Sequence, residues 1–206
     1  MFGKCSRLLT SIGVLFFFAV LGCGPSSDAT STSRPSLPST ISVQDMDGKE
    51  VNPFAMEKGT KAIVFLFIST DCPISNRYAP TVAKLWEEFH DKGIVFRLVY
   101  PHPDLTIAEI QKHLKDYAYP CPALRDPKHL LVQRSQARVT PEAAVFNAKE
   151  ELVYHGRIDD RYVDFGKERS APTRHDLQET LKAVTEGKPV AQKTVRAIGC
   201  YIPDLP

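Results

Sequence analysis

Cysteine is sparse in this chain of 206 residues: there are five, and once Cys5 and Cys23 near the amino terminus are set aside, only Cys72, Cys121 and Cys200 remain. Three is an odd number, so at most one internal disulfide can form and one thiol is left over. A scaffold stapled by several bridges is therefore excluded. An excess of charge of one sign is also lacking, since 26 Lys and Arg against 24 Asp and Glu give a net charge of +2. With acids and bases interspersed, nucleic acid is not an expected partner. His102, His113, His129, His155 and His175 are scattered without the spacing of metal ligands, so no metal site is expected. There is no internal repeat, and no apolar run beyond residue 21 is long enough to suggest a second membrane segment.

What is present begins with an export signal. Residues 1–22 open with Lys4 and Arg7 and continue through an apolar run at residues 8–21, interrupted by Thr10, Ser11 and Gly13. At about 14 residues this run falls short of the ~20 that a spanning helix needs, which fits a secretory signal. It ends in Val20-Leu21-Gly22-Cys23, which resembles a bacterial lipobox with Cys23 as the lipidated residue. The expected location is the cell envelope, lipid-anchored to a membrane on its extracytoplasmic side. Residues 23–40 are almost wholly Ser, Thr, Pro, Ala, Gly and Asp, a composition too poor in apolar surface to fold, and read as a tether. The remaining ~165 residues suffice for one domain. Its expected limits are 41–187, followed by an extension at 188–206 that carries Cys200.

Within the domain, residues 41–51 alternate around Asp47-Gly48 as a hairpin. Residues 62–68 are apolar on both faces, as a central strand covered on two sides must be. After Pro73, Ala79, Val82, Leu85, Trp86 and Phe89 recur at helical spacing up to Gly93. A second strand is expected at 94–100, and a helix at 106–117 with a capping box from Thr106 and Glu109. The alternation of strand and helix implies parallel pairing. A short helix near 128–135, a hairpin from Ala143 to Tyr154 and a last helix at 176–184 complete the expected elements.

Cys72 stands where the buried strand hands over to a helix, in the field of unpaired backbone N–H groups that favours a thiolate. Arg77 is placed to add a cation, and Asp71 opposes it, so modest activation is expected. This strand-to-helix cysteine, the run Leu124-Arg125-Asp126 ahead of a short helix, and Val139-Thr140-Pro141 ahead of a hairpin together resemble the redoxin superfamily. The runs Thr70-Asp71-Cys72-Pro73-Ile74-Ser75-Asn76-Arg77-Tyr78 and Gly156-Arg157-Ile158-Asp159-Asp160-Arg161-Tyr162 are similar to a redoxin subgroup that is often exported.

The resemblance covers residues 41–187. It implies a single-domain α/β thioredoxin-like fold, a central mixed sheet flanked by helices. It also implies a cis bond at Thr140–Pro141 facing Cys72, with the backbone at Thr140 pairing with the substrate's strand. The implied partner is a protein or small-molecule thiol or disulfide, and no organic cofactor is implied. One departure is that Ser75 occupies the position of the second cysteine of Cys-x-x-Cys. A serine can donate a hydrogen bond to the thiolate but cannot resolve a mixed disulfide. Resolution is left to Cys200, to Cys121 or to an external thiol; Cys200 is favoured, because redoxins are known to use a C-terminal cysteine in this way.

The expected function is thiol-disulfide exchange through Cys72. Two alternatives stand beside it. One is a thiol peroxidase, for which Ser69 supplies the hydroxyl three residues before Cys72, Phe65 replaces the usual proline, and Arg125 or Arg157 are the available cations. The other is a non-catalytic redoxin that binds copper or a partner protein. Asp159, Asp160 and Arg161 read as loop packing, and His155 as a surface residue.

Overall fold

The run Ala62-Ile63-Val64-Phe65-Leu66-Phe67 dictates the centre of the molecule, because β-branched and aromatic side chains pack well on both faces of a pleated surface. A computed structural model describes residues 41–205, so the expected signal, Cys23 and the tether lie outside the described residues. Strand β1 (Val43–Gln44) and strand β2 (Glu50–Val51) form the amino-terminal hairpin, whose turn is held by Asp45 accepting from the N–H groups of Asp47 and Lys49. Strand β3 (Ala62–Phe67) is fully buried. Its side chains divide between two apolar clusters, Val64 and Leu66 on one and Ile63, Phe65 and Phe67 on the other. Each large side chain buried there contributes about 1.5–3 kcal/mol.

Strand β3 pairs in parallel with β4 (Ile94–Tyr100), which pairs in parallel with β5 (Ala123–Arg125). On its other side β3 pairs antiparallel with β7 (Glu142–Asn147), which turns back into β8 (Leu152–Gly156). Beyond them lie β6 (Val139–Thr140), a small hairpin of β9 (Tyr162–Asp164) and β10 (Lys167–Glu168), and two C-terminal strands, β11 (Thr194–Val195) and β12 (Cys200–Tyr201). The main sheet is mixed, in the order β11-β8-β7-β3-β4-β5-β1-β2. Among the described residues five α-helices surround it: α1 (Pro73–Arg77), α2 (Ala79–Phe89), α3 (Ile107–Asp116), α4 (Leu130–Ser135) and α5 (Asp176–Thr185). Val82, Leu85 and Phe89 of α2, Ile110 of α3 and Leu177 and Leu181 of α5 join the cluster of Val64, whereas Leu131 and Val132 of α4 join that of Phe65.

Two expectations need correction. The helix after Pro73 is not continuous but breaks at Tyr78, because Pro80 has no N–H to give to the preceding turn and its ring crowds the carbonyl four residues back. The short helix begins at Leu130, two residues late, since His129 adopts a left-handed conformation with φ of 54°. The segment after residue 187 extends the main sheet with β11 beside β8 and brings β12 against β6. The capping box of α3 is present: Thr106 Oγ1 accepts from Glu109 N–H at 3.3 Å, and Glu109 accepts from Thr106 N–H at 2.8 Å. Thr106→Ala is expected to lower the unfolding free energy by about 0.5–2 kcal/mol, measured by urea titration, with the m-value unchanged.

Candidate functional site

The site is assembled at the carboxyl ends of β3 and β4 from three separate segments. Cys72 is the N-cap of α1, with extended backbone (φ −85°, ψ 108°), and its side chain accepts from Ser75 N–H at 3.5 Å. Residue exposure there is 0%. The Cys72 thiol donates to the carbonyl of Thr140 at 2.9 Å, and the Thr140–Pro141 peptide is cis. From the far end of the chain, β12 lies antiparallel on β6, with Cys200 opposite Thr140 and Tyr201 opposite Val139. One further bond, Ile202 N–H to Arg138 O at 3.0 Å, extends this ladder. Cys72, Ser75, Thr140, Pro141 and Cys200 are thus brought together, and Cys23 lies outside the described residues.

The electrostatics separate the two thiols. Burial pushes the Cys72 thiol up, but the Cys200 side chain, the N–H and hydroxyl of Ser75 and the N–H of Cys200 all favour the thiolate, and together they hold Cys72 below its ordinary value. Burial and the neighbouring Cys72 sulfur push Cys200 the other way, with Asp71 adding to the rise. Cys72 is therefore the first of the pair to ionise, and Cys200 is the proton-bearing donor. The Ser75 hydroxyl is buried with no hydrogen-bond partner among the described residues, which leaves it free to serve the thiolate. Alkylation of Cys72 by iodoacetamide, followed against pH, is expected to show a midpoint below that of a free cysteine. Cys200→Ala removes a donor to the thiolate and is expected to raise that midpoint.

Cys121 behaves differently. Burial pushes its thiol up to about 12, and Arg97 offsets this only in part. Although it belongs to the same apolar cluster as Cys72, it is Cys200, not Cys121, that stands opposite Thr140, the residue whose carbonyl accepts from the Cys72 thiol.

Several expected contacts are not made. Arg77 does not reach Cys72; it is largely exposed and pairs with Glu168 at 2.6 Å. Asp71 takes a hydrogen bond from Ser69, so the hydroxyl that a peroxide cradle would use is engaged locally. Arg125 donates to the carbonyls of Leu105 and Pro103 and to Gln44, and Arg157 pairs with Asp176 at 2.7 Å. His155 is only 18% exposed in its side chain and lies 3.6 Å from the buried Glu142, so it is not a free surface residue. Asp159 and Asp160 do tie loops together, through Tyr78 and through Thr173 and Arg174. Among the described residues no group of three or more His, Cys, Asp or Glu side chains could hold a metal ion, and no helix is long and apolar enough to cross a membrane.

A polar chain that sequence reasoning missed positions the Cys72 loop. Asn76 Nδ2 donates to Thr70 O at 3.1 Å, which turns Asn76 Oδ1 towards His113 Nε2 at 2.8 Å. The ring therefore carries its proton on Nε2, and Nδ1 accepts from Tyr100 OH at 2.8 Å. Burial holds the His113 pKa down, which keeps the ring neutral in this role. Only residues on three different elements make this chain, so no local spacing announces it.

The sequence profile of the Redoxin family matches residues 31–167. The chain belongs to the Redoxin family. The match spans Cys72, Ser75, Thr140 and Pro141 and stops short of Cys200. Among solved structures, this redoxin is similar to an uncharacterized conserved protein from Geobacillus kaustophilus, at 25% identity and a TM-score of 0.70, over 82% of this chain and 90% of that one. It is also similar to a hypothetical protein from Sinorhizobium meliloti 1021, at 27% identity and a TM-score of 0.67, over 79% and 90% of the two chains. MTB dsbF, described in its mixed oxidized and reduced forms, shares the fold at 16% identity and a TM-score of 0.50, over 72% and 94%. Among curated proteins, none matches. The redoxin fold is thioredoxin-like, with the central mixed sheet and flanking helices expected from the sequence.

Proposed function

We propose that this redoxin is a thiol-disulfide oxidoreductase in which Cys72 is the nucleophile and Cys200 the resolving thiol. The observation that carries the reading is that Thr140 takes both cysteines: its carbonyl accepts from the buried Cys72 thiol, and the strand carrying Cys200 pairs with it so that Cys200 lies opposite Thr140. The Cys72 thiolate attacks one sulfur of a substrate disulfide, forming a mixed disulfide and expelling the other substrate sulfur as a thiolate. Cys200, deprotonated as it attacks, then bonds to Cys72 and releases the second substrate thiolate. The substrate is fully reduced and the protein holds the Cys72–Cys200 disulfide.

Because Cys72 is covered, the first step needs β12 to swing aside. Its ladder with β6 spans two residue pairs and Tyr201 on it is 76% exposed, so the movement has to release chiefly the partly buried Ile198, Cys200 and Ile202. The same reading tethers the protein through lipidated Cys23 on the extracytoplasmic side of a membrane. It is tested by following reduction of a chromogenic small disulfide and, in parallel, consumption of hydrogen peroxide by the reduced protein. Disulfide reduction in excess of peroxide consumption supports exchange. The reverse ranking supports the peroxidase alternative, which the engaged hydroxyl of Ser69 and the distant arginines disfavour.

A further inference from the structure

The seat beside Pro141, where an extended partner strand would pair with the backbone of Thr140, is already filled by the protein's own tail. The fit is close: a Cβ placed on Gly199 would stand 2.3 Å from Thr140 O and 2.7 Å from its carbonyl carbon. Gly199 thus permits an approach that no side chain allows, and Cys200 follows directly on it. On the other side of Cys200 lies a cavity of about 370 Å³ walled by Pro73, Ile74, Tyr162 and Phe165, with the Arg77–Glu168 ion pair at its rim. Cys200 lines this cavity, whereas Cys72 does not and is fully buried behind it.

From this geometry we infer that, in the oxidised protein, the sulfur that exchanges with an external reductant is Cys200, reached through this cavity, and that the reductant is a small thiol rather than an extended polypeptide strand. The inference rests on the Cys72–Cys200 pairing proposed above. A thiolate RS⁻ entering the cavity attacks Cys200 Sγ. The Cys72–Cys200 bond breaks, its electron pair leaves on Cys72 as a thiolate stabilised by Ser75, and the mixed disulfide R–S–S–Cys200 forms. A second RS⁻ attacks the R sulfur of this mixed disulfide. RSSR departs, and the Cys200 thiolate takes a proton from solvent. Two external thiols are oxidised and one protein disulfide is reduced. Entry and nucleophilic attack are thereby divided between two cysteines, with the better leaving group placed at the buried position.

The test starts from oxidised protein treated with excess 2-mercaptoethanol, quenched with acid within the first turnover, alkylated and digested with trypsin. Each cysteine of the domain falls in its own fragment: Cys72 in 62–77, Cys121 in 116–125 and Cys200 in 197–206. The expected product carries mercaptoethanol on 197–206 and the alkyl group on 62–77. The opposite pattern overturns the inference and leaves the pairing intact. An untreated sample without the 62–77 to 197–206 cross-link defeats the pairing itself, and the inference falls with it. A second arm uses Glu168→Lys at low ionic strength. The ratio of reduction rates with anionic 2-mercaptoethanesulfonate and neutral 2-mercaptoethanol is expected to rise at least about threefold, since the new cation draws the anion towards the cavity. An unchanged ratio overturns this route of entry.

Discussion

Cys72→Ser is expected to lower the rate of disulfide reduction by at least about 10³-fold, because a hydroxyl near neutral pH offers no thiolate to replace the lost nucleophile. The substitution exchanges sulfur for a smaller oxygen in a buried pocket already supplied with donors from Ser75 and Cys200, so folding is expected to persist. Unchanged far-UV circular dichroism beside lost activity identifies the effect as chemical. Cys121→Ser gives the contrast: it is Cys200, not Cys121, that lies opposite Thr140 beside the Cys72 thiol, and removal of the Cys121 thiol is expected to leave turnover close to the parent's. Activity in Cys72→Ser comparable to the parent's contradicts the assignment of the nucleophile.

Gly199→Ala is expected to separate the tail from the site without touching the apolar core. The new Cβ, whose position the backbone fixes, would overlap the Thr140 backbone carbonyl, so the strain cannot be relieved by rotating a side chain. Overpacking of this kind costs about 1–3 kcal/mol, which reduces the seated population of the tail roughly 5- to 150-fold. Two rates should then move in opposite directions. Closure of the Cys72–Cys200 disulfide slows, because Cys200 is no longer held beside Cys72. Alkylation of Cys72 accelerates, because its cover has lifted. A merely destabilised protein would show both sulfurs reacting faster and a lowered Tm, so the opposed pair of rates distinguishes the two outcomes.

The parts of this fold that were legible in the sequence are those with long periods or unusual residues. Strand β3 is a continuous apolar run, the spacing of Val82, Leu85 and Phe89 marks α2, and the Thr106 and Glu109 pair marks the start of α3. A cysteine at the end of β3 and a proline before a hairpin pointed to where the site would form. What was not legible is short or non-local. Strands β11 and β12 have two residues each, too few to display an alternation. Pro80 was visible, yet the apolar spacing around it masked the break at Tyr78. Arg77 has the right sequence position to approach Cys72, but the distant Glu168 on β10 draws it outward. The closeness of Gly199 to Thr140 depends on a contact between residues 59 apart, which no spacing rule encodes. For Arg77 and Gly199 the missing information is a tertiary partner.

The most direct test of the account is the connectivity of the oxidised protein. Oxidation with a mild oxidant, alkylation of free thiols and tryptic digestion without reduction are expected to yield fragment 62–77 joined to 197–206, with fragment 116–125 alkylated at Cys121. A digest in which 62–77 is joined to 116–125, or in which 62–77 is oxidised while Cys200 is alkylated, would contradict the assignment of Cys200 as the resolving thiol.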